Sequence, residues 1–284
     1  MTSPARLLRE WNLYPKKPLG QNFLKDPSTA EMIVTRAGLL PEDIVLEIGA
    51  GLGALTIPVA RMAKKVYTVE KDRMLIPLLE HEIRKSGLEN ITVLNQNILD
   101  VDIPQIADNE SCKLTVMGNL PYNISSQVLI KTLNARSCIT HCILMLQKEL
   151  AQRIITSPGG KEYGRLSVML QYCAKVQKIA EVKAAFFFPK PKVDSEIVGI
   201  KFAETQNFLP DNEMFFFKVI KAAFSKRRKM LKNTLAGSEL EIDAETAKET
   251  LLGVGIDPSR RAETLSVEEF VKLSNALGRQ IHPH

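Results

Sequence analysis

The stretch V-L-E-I-G-A-G-L-G-A-L-T, Val45 to Thr56, joins an apolar run to a segment of helical spacing through Gly49, Gly51 and Gly53. Glycines placed between a strand and a helix let a ligand approach the main chain closely, because no Cβ stands in the way. A nucleotide-type cofactor is the guest such a loop suits. The spacing from Gly49 to Ala54 also satisfies G-x-G-x-x-A, so the glycines alone leave a dinucleotide open. Glu70 ends the next apolar run, in V-Y-T-V-E-K-D. A carboxylate there can accept hydrogen bonds from both hydroxyls of a ribose.

Outward from this loop, short apolar runs alternate with amphipathic stretches. Ile44–Ile48, Val66–Val69, Ile91–Leu94, Leu114–Met117 and Cys142–Leu146 read as buried strands, with helical spacing over Leu55–Ala63, Met74–Lys85 and Ser125–Leu133. That alternation predicts a parallel sheet with helices on both faces. A helix over Leu166–Cys173 then leads to strands Val176–Val182 and Ser195–Phe202. The proline-punctuated F-F-F-P-K-P-K-V-D between them suggests an antiparallel pair at the sheet edge. From about Thr205 only helices are predicted: Glu213–Phe224, a basic stretch to Leu235, Ala244–Leu252 and Val267–Leu277. The chain is therefore divided near 204, into an α/β catalytic domain over 1–204 with an N-terminal arm over about 1–25, and a small all-helical domain over 205–284.

The 284 residues, 45% hydrophobic and 25% charged, have an ordinary globular composition. No apolar run approaches the roughly 20 residues that span a bilayer, and the start lacks the apolar core of a secretory signal, so a cytoplasmic protein without a membrane partner is expected. Cys112, Cys138, Cys142 and Cys173 form no CxxC pair, no histidine stands at metal-ligand spacing, and no metal is expected. The net charge of +6 permits a polyanionic partner. From Thr205 onward 12 Lys and Arg nearly balance 11 Asp and Glu, yet Lys226, Arg227, Arg228, Lys229 and Lys232 fall together.

Residues 118–126, G-N-L-P-Y-N-I-S-S, follow the apolar run Leu114–Met117. A tight turn explains Asn119 and Pro121 and leaves Tyr122 without a reason. An acid two positions before the glycines, Glu47, and an amide at Asn119 suited to methyl transfer together favour S-adenosylmethionine over a nicotinamide cofactor.

Six segments in order carry a wider resemblance: K-K-P-L-G-Q-N-F-L (16–24), E-I-G-A-G-L-G (47–53), G-N-L-P-Y-N-I-S (118–125), Y-G-R-L-S-V-M (163–169), F-F-P-K-P-K-V-D-S (187–195) and A-F-S-K-R-R-K-M-L-K-N-T-L (223–235). The sequence resembles the KsgA family of small-subunit ribosomal RNA adenine N6,N6-dimethyltransferases. The resemblance implies a Rossmann-like class I methyltransferase with a mostly parallel seven-stranded sheet and a small C-terminal helical domain. It implies a monomer that acts on 16S rRNA of the small ribosomal subunit during ribosome biogenesis. Two adjacent adenosines of the 3′-terminal hairpin would be dimethylated, with S-adenosyl-L-homocysteine as product. Asn22 and Leu24 would line the methionine end of the cofactor, Gly49, Gly51 and Asn119 would lie beside it, and Glu70 would hold the ribose. The family usually carries Asp where this chain has Asn97; an amide oxygen can still accept the bond from the adenine amino group.

Adenine N6 is a poor nucleophile because its lone pair is delocalised into the ring. The Asn119 side-chain oxygen and the Leu120 carbonyl are candidate acceptors for its two N–H groups. Pro121 would aim that carbonyl and Tyr122 would stack on the base. Phe187 is implied as a second stacking ring, with Phe186 and Phe188 on the opposite strand face. Residues 223–235 read as a helix that buries one side and presents its basic residues to RNA phosphates. Three rivals stay open: a related large-subunit rRNA methyltransferase, a nicotinamide-dependent oxidoreductase, and a non-catalytic ribosome-assembly factor.

Overall fold

The computed structural model describes residues 3–203, 208–226 and 228–281. The arm opens with helix α1 (Pro4–Glu10), whose N-cap Ser3 hydroxyl accepts the Arg6 N–H. It continues to the two-residue strand β1 (Phe23–Leu24) and helix α2 (Pro27–Ala37), capped by Asp26 and closed by Gly38 in the left-handed conformation. Strands and helices then alternate: β2 (Ile44–Ile48), α3 (Thr56–Ala60), β3 (Lys65–Val69), α4 (Ile76–Ser86), β4 (Ile91–Leu94), α5 (Ile103–Glu110), β5 (Leu114–Asn119), α6 (Ser125–Asn134) and β6 (Ile139–Gln147). Next come α7 (Lys148–Ile155), α8 (Arg165–Cys173), β7 (Ala174–Val182), β8 (Phe187–Phe188) and β9 (Ser195–Phe202). Helices α9 (Glu213–Ala223), α10 (Leu231–Ala236), α11 (Ala244–Gly253) and α12 (Val267–Ile281) complete the described chain.

The seven-stranded sheet runs β4-β3-β2-β5-β6-β9-β7. Its pairs from β4 to β6 are parallel, while β9 is antiparallel to β6. The strand Ser195–Phe202 thus lies between β6 and β7, leaving β7 at the edge. All five residues of β2 are buried, which is why it reads as an apolar run interrupted only by Glu47. The order reverses at β2: the chain moves outward through β3 and β4, then returns to place β5 against β2. In an open α/β sheet a ligand crevice lies at the carboxyl ends of the strands that flank such a reversal.

Gly118 makes the β2–β5 approach possible. A Cβ there would stand 2.4 Å from the Ile48 carbonyl oxygen and 3.1 Å from the Ile48 Cβ. Gly118→Ala is therefore expected to lower stability by about 1–3 kcal/mol through overpacking, read as a lower urea midpoint with an unchanged slope.

By contact the chain divides into two compact units, Met1–Ala151 with Val176–Phe202, and Gln152–Lys175 with Ala203–His284. Residues 152–175, assigned to the first domain by the sequence division at 204, group with the C-terminal helices. The Tyr172 ring packs 4.6 Å from Phe216 and the Ala203 N–H donates to the Cys173 carbonyl at 3.0 Å. Within this second unit α9 packs with α10 and α12, and α10 with α11.

The basic run departs from the helix expected over 223–235. Helix α9 stops at Ala223 and α10 starts at Leu231, with Met230 extended before it. The Leu231 N–H donates to the Arg260 carbonyl at 2.7 Å rather than to a carbonyl of its own segment. A run of like charges at helical i, i+3 and i+4 positions repels itself, and here Lys226, Arg228 and Lys229 lie outside both helices while Lys232 is in α10.

Candidate active site

Four neighbouring strands end on one crevice, and each delivers one element of the site. Strand β2 ends in the glycine loop, β3 in Glu70, β4 in the turn that holds Asn97, and β5 in Asn119. Asn22, Leu24, Gly49, Gly51, Glu70, Asn97, Asn119, Leu120, Pro121 and Tyr122 all line the same cleft, of about 1060 Å³ counted out to its open mouth.

The loop turns back on β3, since the N–H groups of Gly49 and Ala50 donate to the Val69 carbonyl at 2.9 and 3.2 Å. Gly49 has φ +80°, and a Cβ there would sit 3.3 Å from the Asn119 carbonyl oxygen. Gly51 has φ +55°, and its N–H donates to Glu70 Oε2 at 2.9 Å. Glu70 Oε1 accepts the Asp72 N–H at 2.7 Å, so main-chain donors fix both carboxylate oxygens from one side. Burial pushes the Glu70 carboxyl above its usual range, and the bonds from Asp72 and Gly51 oppose that shift without cancelling it. Glu47 lies beneath the loop. Its Oε2 accepts from the hydroxyls of Thr56 and Thr68, each at 2.6 Å, and burial pushes its pKa up to about 7. Asn97 also lines the cleft, its side-chain oxygen capping a short turn by accepting the Leu99 N–H at 3.3 Å.

At the end of β5, Asn119 Nδ2 donates to the Asn22 carbonyl at 2.9 Å. A carbonyl can only accept, so the amide must present its NH₂ group there, which leaves Oδ1 as the outward acceptor. The buried Leu120 side chain anchors the next residue, and its N–H donates to the Met145 carbonyl at 3.1 Å. Among the described residues no hydrogen bond takes up the Leu120 carbonyl. The Pro121 carbonyl accepts from the Ile124 N–H and the Ser125 hydroxyl, fixing the bend.

Tyr122 is half-buried, and its hydroxyl lies 3.1 Å from Ser195 Oγ. Ser195 is fully buried at the start of β9, so F-F-P-K-P-K-V-D-S reaches the site through its final residue. A double-mutant cycle of Ser195→Ala and Tyr122→Phe, followed by denaturant melts, should return a coupling of about 0.5–1.5 kcal/mol.

The structure does not bring Phe187 to the cleft. It pairs with Leu24 across the β1–β8 ladder and is 1% exposed within a core cluster that includes Leu24, Ile33, Met145 and Val182. The expected second stacking ring therefore presents no open face. Alternation does separate it from Phe188, which packs against a different cluster containing Phe23 and Leu52.

The arm closes one side of the crevice. The Asn123 side chain donates to the Pro18 carbonyl at 3.1 Å, and Lys16 and Gln21 bond to Asp72. Residue-by-residue reading of the sequence missed Asp72, Ser195, Thr56 and Thr68. Each lies inside or within a few positions of a quoted motif, but its partner is distant in the chain. In the second unit, Lys226, Arg228 and Lys229 are exposed and Lys232 is half-buried, while Arg227 lies outside the described residues. Among the described residues no group of three His, Cys, Asp or Glu is placed to hold a metal.

A reversal-point crevice with a glycine loop, a strand-end acid and an Asn-Leu-Pro-Tyr turn defines a Rossmann-like methyltransferase. A family described as "Ribosomal RNA adenine dimethylase" matches residues 13–278. The chain belongs to that family. It is 53% identical over 277 residues to the ribosomal RNA small subunit methyltransferase A of Desulforapulum autotrophicum, covering 98% of this chain and 97% of the relative. It is 40% identical over 267 residues to the protein of the same name from Bacillus thuringiensis, covering 92% and 91%. Among solved structures it resembles a dimethyladenosine transferase from Plasmodium falciparum, with TM-score 0.75 and 27% identity over 88% of this chain and 95% of that one. It also resembles the 23S rRNA methyltransferase ErmE, with TM-score 0.68 and 25% identity over 90% and 99%.

Proposed function

We propose that this enzyme uses S-adenosylmethionine to dimethylate N6 of two adjacent adenosines in the 3′-terminal hairpin of 16S rRNA, during maturation of the small ribosomal subunit. The observation that carries the proposal is the orientation of Asn119. Its NH₂ group is engaged by the Asn22 carbonyl, so an acceptor faces outward beside the Leu120 carbonyl.

The cleft fits the methyl donor. Cβ atoms at Gly49 and Gly51 would crowd the Asn119 carbonyl and the Phe23 ring, so this stretch of the cradle is kept as bare main chain. Each oxygen of Glu70 already accepts one N–H and keeps a lone pair, which suits a ribose diol. Asn97 Oδ1 likewise keeps a lone pair beyond its bond to Leu99, enough to accept from an adenine amino group. Asn22 and Leu24 would close the methionine end from the arm. When bound, S-adenosylmethionine supplies an electrophilic methyl group on a sulfonium.

The chain's own residues prepare the nucleophile. Asn119 Oδ1 and the Leu120 carbonyl would accept the two N6–H groups and hold the nitrogen lone pair toward the methyl-bearing end of the cleft. Pro121 restrains Leu120 to extended geometry and so aims its carbonyl. The Tyr122 ring, tethered through its hydroxyl to Ser195, would stack on the extruded base at about 1–3 kcal/mol. Methylation leaves a cationic nitrogen whose proton can pass to water. A neutral amide also tolerates the monomethylated amine, which keeps one N–H for a second round.

In this reading Lys226, Arg227, Arg228, Lys229 and Lys232 contact RNA phosphates, which position the substrate without reading its sequence. Replacing Arg228 and Lys229 with alanine is expected to weaken RNA binding and to lower the slope of log affinity against log salt by about 2. An unchanged slope would remove this segment from the interface. The proposal includes a monomer acting in the cytoplasm; no described helix is long and apolar enough to cross a membrane. Incubation with methyl-labelled donor and unmethylated small subunits should place label on adenosine, whereas binding without incorporation would favour a non-catalytic assembly factor.

A further inference from the structure

Asp72 takes no part in the chemistry described so far, yet its carboxylate is only 5% exposed and receives donors from three sides. Lys16 Nζ at 2.7 Å and the Met74 N–H at 3.1 Å reach Oδ1, and Gln21 Nε2 reaches Oδ2 at 2.9 Å. The two arm residues are also joined to each other, since the Lys16 N–H donates to Gln21 Oε1 at 2.7 Å. One acid thus clamps both ends of a short loop that lies 56 and 51 positions away in the chain. Burial raises the Asp72 carboxyl pKa, but the bonds from Lys16 and Gln21 outweigh this and leave it below its usual range.

The clamp touches the site at two points. Asp72 donates its own N–H to Glu70 Oε1 at 2.7 Å. Asn22, directly after Gln21, supplies the carbonyl that accepts from Asn119 Nδ2 at 2.9 Å. If the arm lifts, nothing else described here fixes which way the Asn119 amide faces. A half-turn of that amide would present its NH₂ group to an amino group, replacing attraction with donor–donor repulsion.

We propose that Asp72 is a positioning residue for methyl transfer: by holding Lys16 and Gln21 it fixes the Asn22 carbonyl, and through it the orientation of the Asn119 amide. This inference rests on the methyl-transfer reading. It predicts that loosening the arm harms turnover more than it harms binding, because Leu24 stays paired with Phe187 and the cradle of Glu70 and the glycine loop stays in place, so that Asn22 alone of the assigned cofactor contacts is loosened.

The test compares Lys16→Met, Asp72→Asn, their combination and Lys16→Arg, with Lys85→Met on the exposed side of α4 as a control for lost charge. Lys16 is substantially exposed, so its substitution does not threaten folding. Asparagine at 72 can still accept the Met74 N–H, which keeps the turn before α4. Four quantities are read: kcat and KM for methyl incorporation into small subunits, S-adenosylhomocysteine affinity by calorimetry, and deuterium exchange over 16–24 and 118–124.

Lys16→Met and Asp72→Asn should each lower kcat about 10- to 100-fold. Inhibitor affinity should move by less than about threefold, and the double variant should be no worse than the worse single variant. Exchange in both segments should rise, while Lys16→Arg should retain most of the activity. A kcat within about twofold of wild type for both single variants, or a loss matched by an equal loss of inhibitor affinity, would overturn the proposal. Failure of the wild type to methylate would instead overturn the reading on which it rests, and raised exchange at 118–124 would still register the clamp.

Discussion

Asn119→Ala is expected to bind S-adenosylhomocysteine as wild type does and to lose methyl transfer by on the order of 10²- to 10³-fold, the scale of removing one preorganised hydrogen-bonding group from a reacting centre. Alanine removes the outward acceptor and also the donor that engages the Asn22 carbonyl. Most cofactor contacts are assigned to other strand ends, so affinity should change little. Asn119→Asp separates the two roles. Aspartate supplies acceptors but cannot donate to the Asn22 carbonyl, so its carboxylate would meet that oxygen with repulsion. It is expected to be impaired nearly as much as alanine, although an account requiring only an acceptor predicts near-normal turnover. Parallel measurement of kcat and inhibitor affinity decides between them.

The second large effect is on stability, through Glu47. Its carboxyl titrates at about 7 in the folded protein, against 4.5 for an unperturbed glutamate. Burial is the main cause; the Thr56 and Thr68 hydroxyls favour the charged form, and the nearby Glu70 charge disfavours it. Between those two pH values the folded state holds a proton that the unfolded state has released, so stability falls as pH rises. The favourable contribution is complete below about pH 4.5 and is lost by the time pH passes about 7, a change of about 3 kcal/mol. Glu47→Gln keeps an uncharged acceptor for the two threonines and removes the titration. Urea melts of wild type and variant at several pH values should therefore diverge through this window, the wild type losing ground as pH rises. Curves that stay parallel would show that Glu47 is ionised throughout.

Much of the sheet was legible because its central strands are buried on both faces. Ile44–Ile48 and Leu114–Met117 are mostly apolar, broken only by the buried Glu47 and Thr115, and the motifs that follow them mark where they stop. The crevice was legible for the same reason, since its residues sit immediately after those runs. Contacts without a local signature were not. Strands β1 and β8 are two residues each, too short for any periodicity, yet their pairing ties the arm to F-F-P-K-P-K-V-D-S. The bond from Asn119 to Asn22 spans 97 positions, and that from Tyr122 to Ser195 spans 73.

Two misreadings have physical causes. Strand alternation correctly separates Phe187 from Phe188, but it cannot say which face meets the core, and Phe187 faces inward. Residues 223–235 have apolar spacing that suits a helix, but Leu231 bonds to Arg260, and Lys226, Arg228 and Lys229 lie outside both α9 and α10. Resemblance to a known family supplied what neither spacing nor charge could reach, namely the adenosines themselves.

Nucleoside analysis of the reaction product reads the substrate and the role of Asn119 together. Unmethylated small subunits are incubated with S-adenosylmethionine and wild type or Asn119→Ala, and the 16S rRNA is then digested and its modified adenosines are mapped by mass spectrometry. The wild type should leave N6,N6-dimethyladenosine at two adjacent positions near the 3′ end, and the variant almost none. Methylation at a different atom, on large-subunit RNA instead, or at an equal level with Asn119→Ala would contradict it.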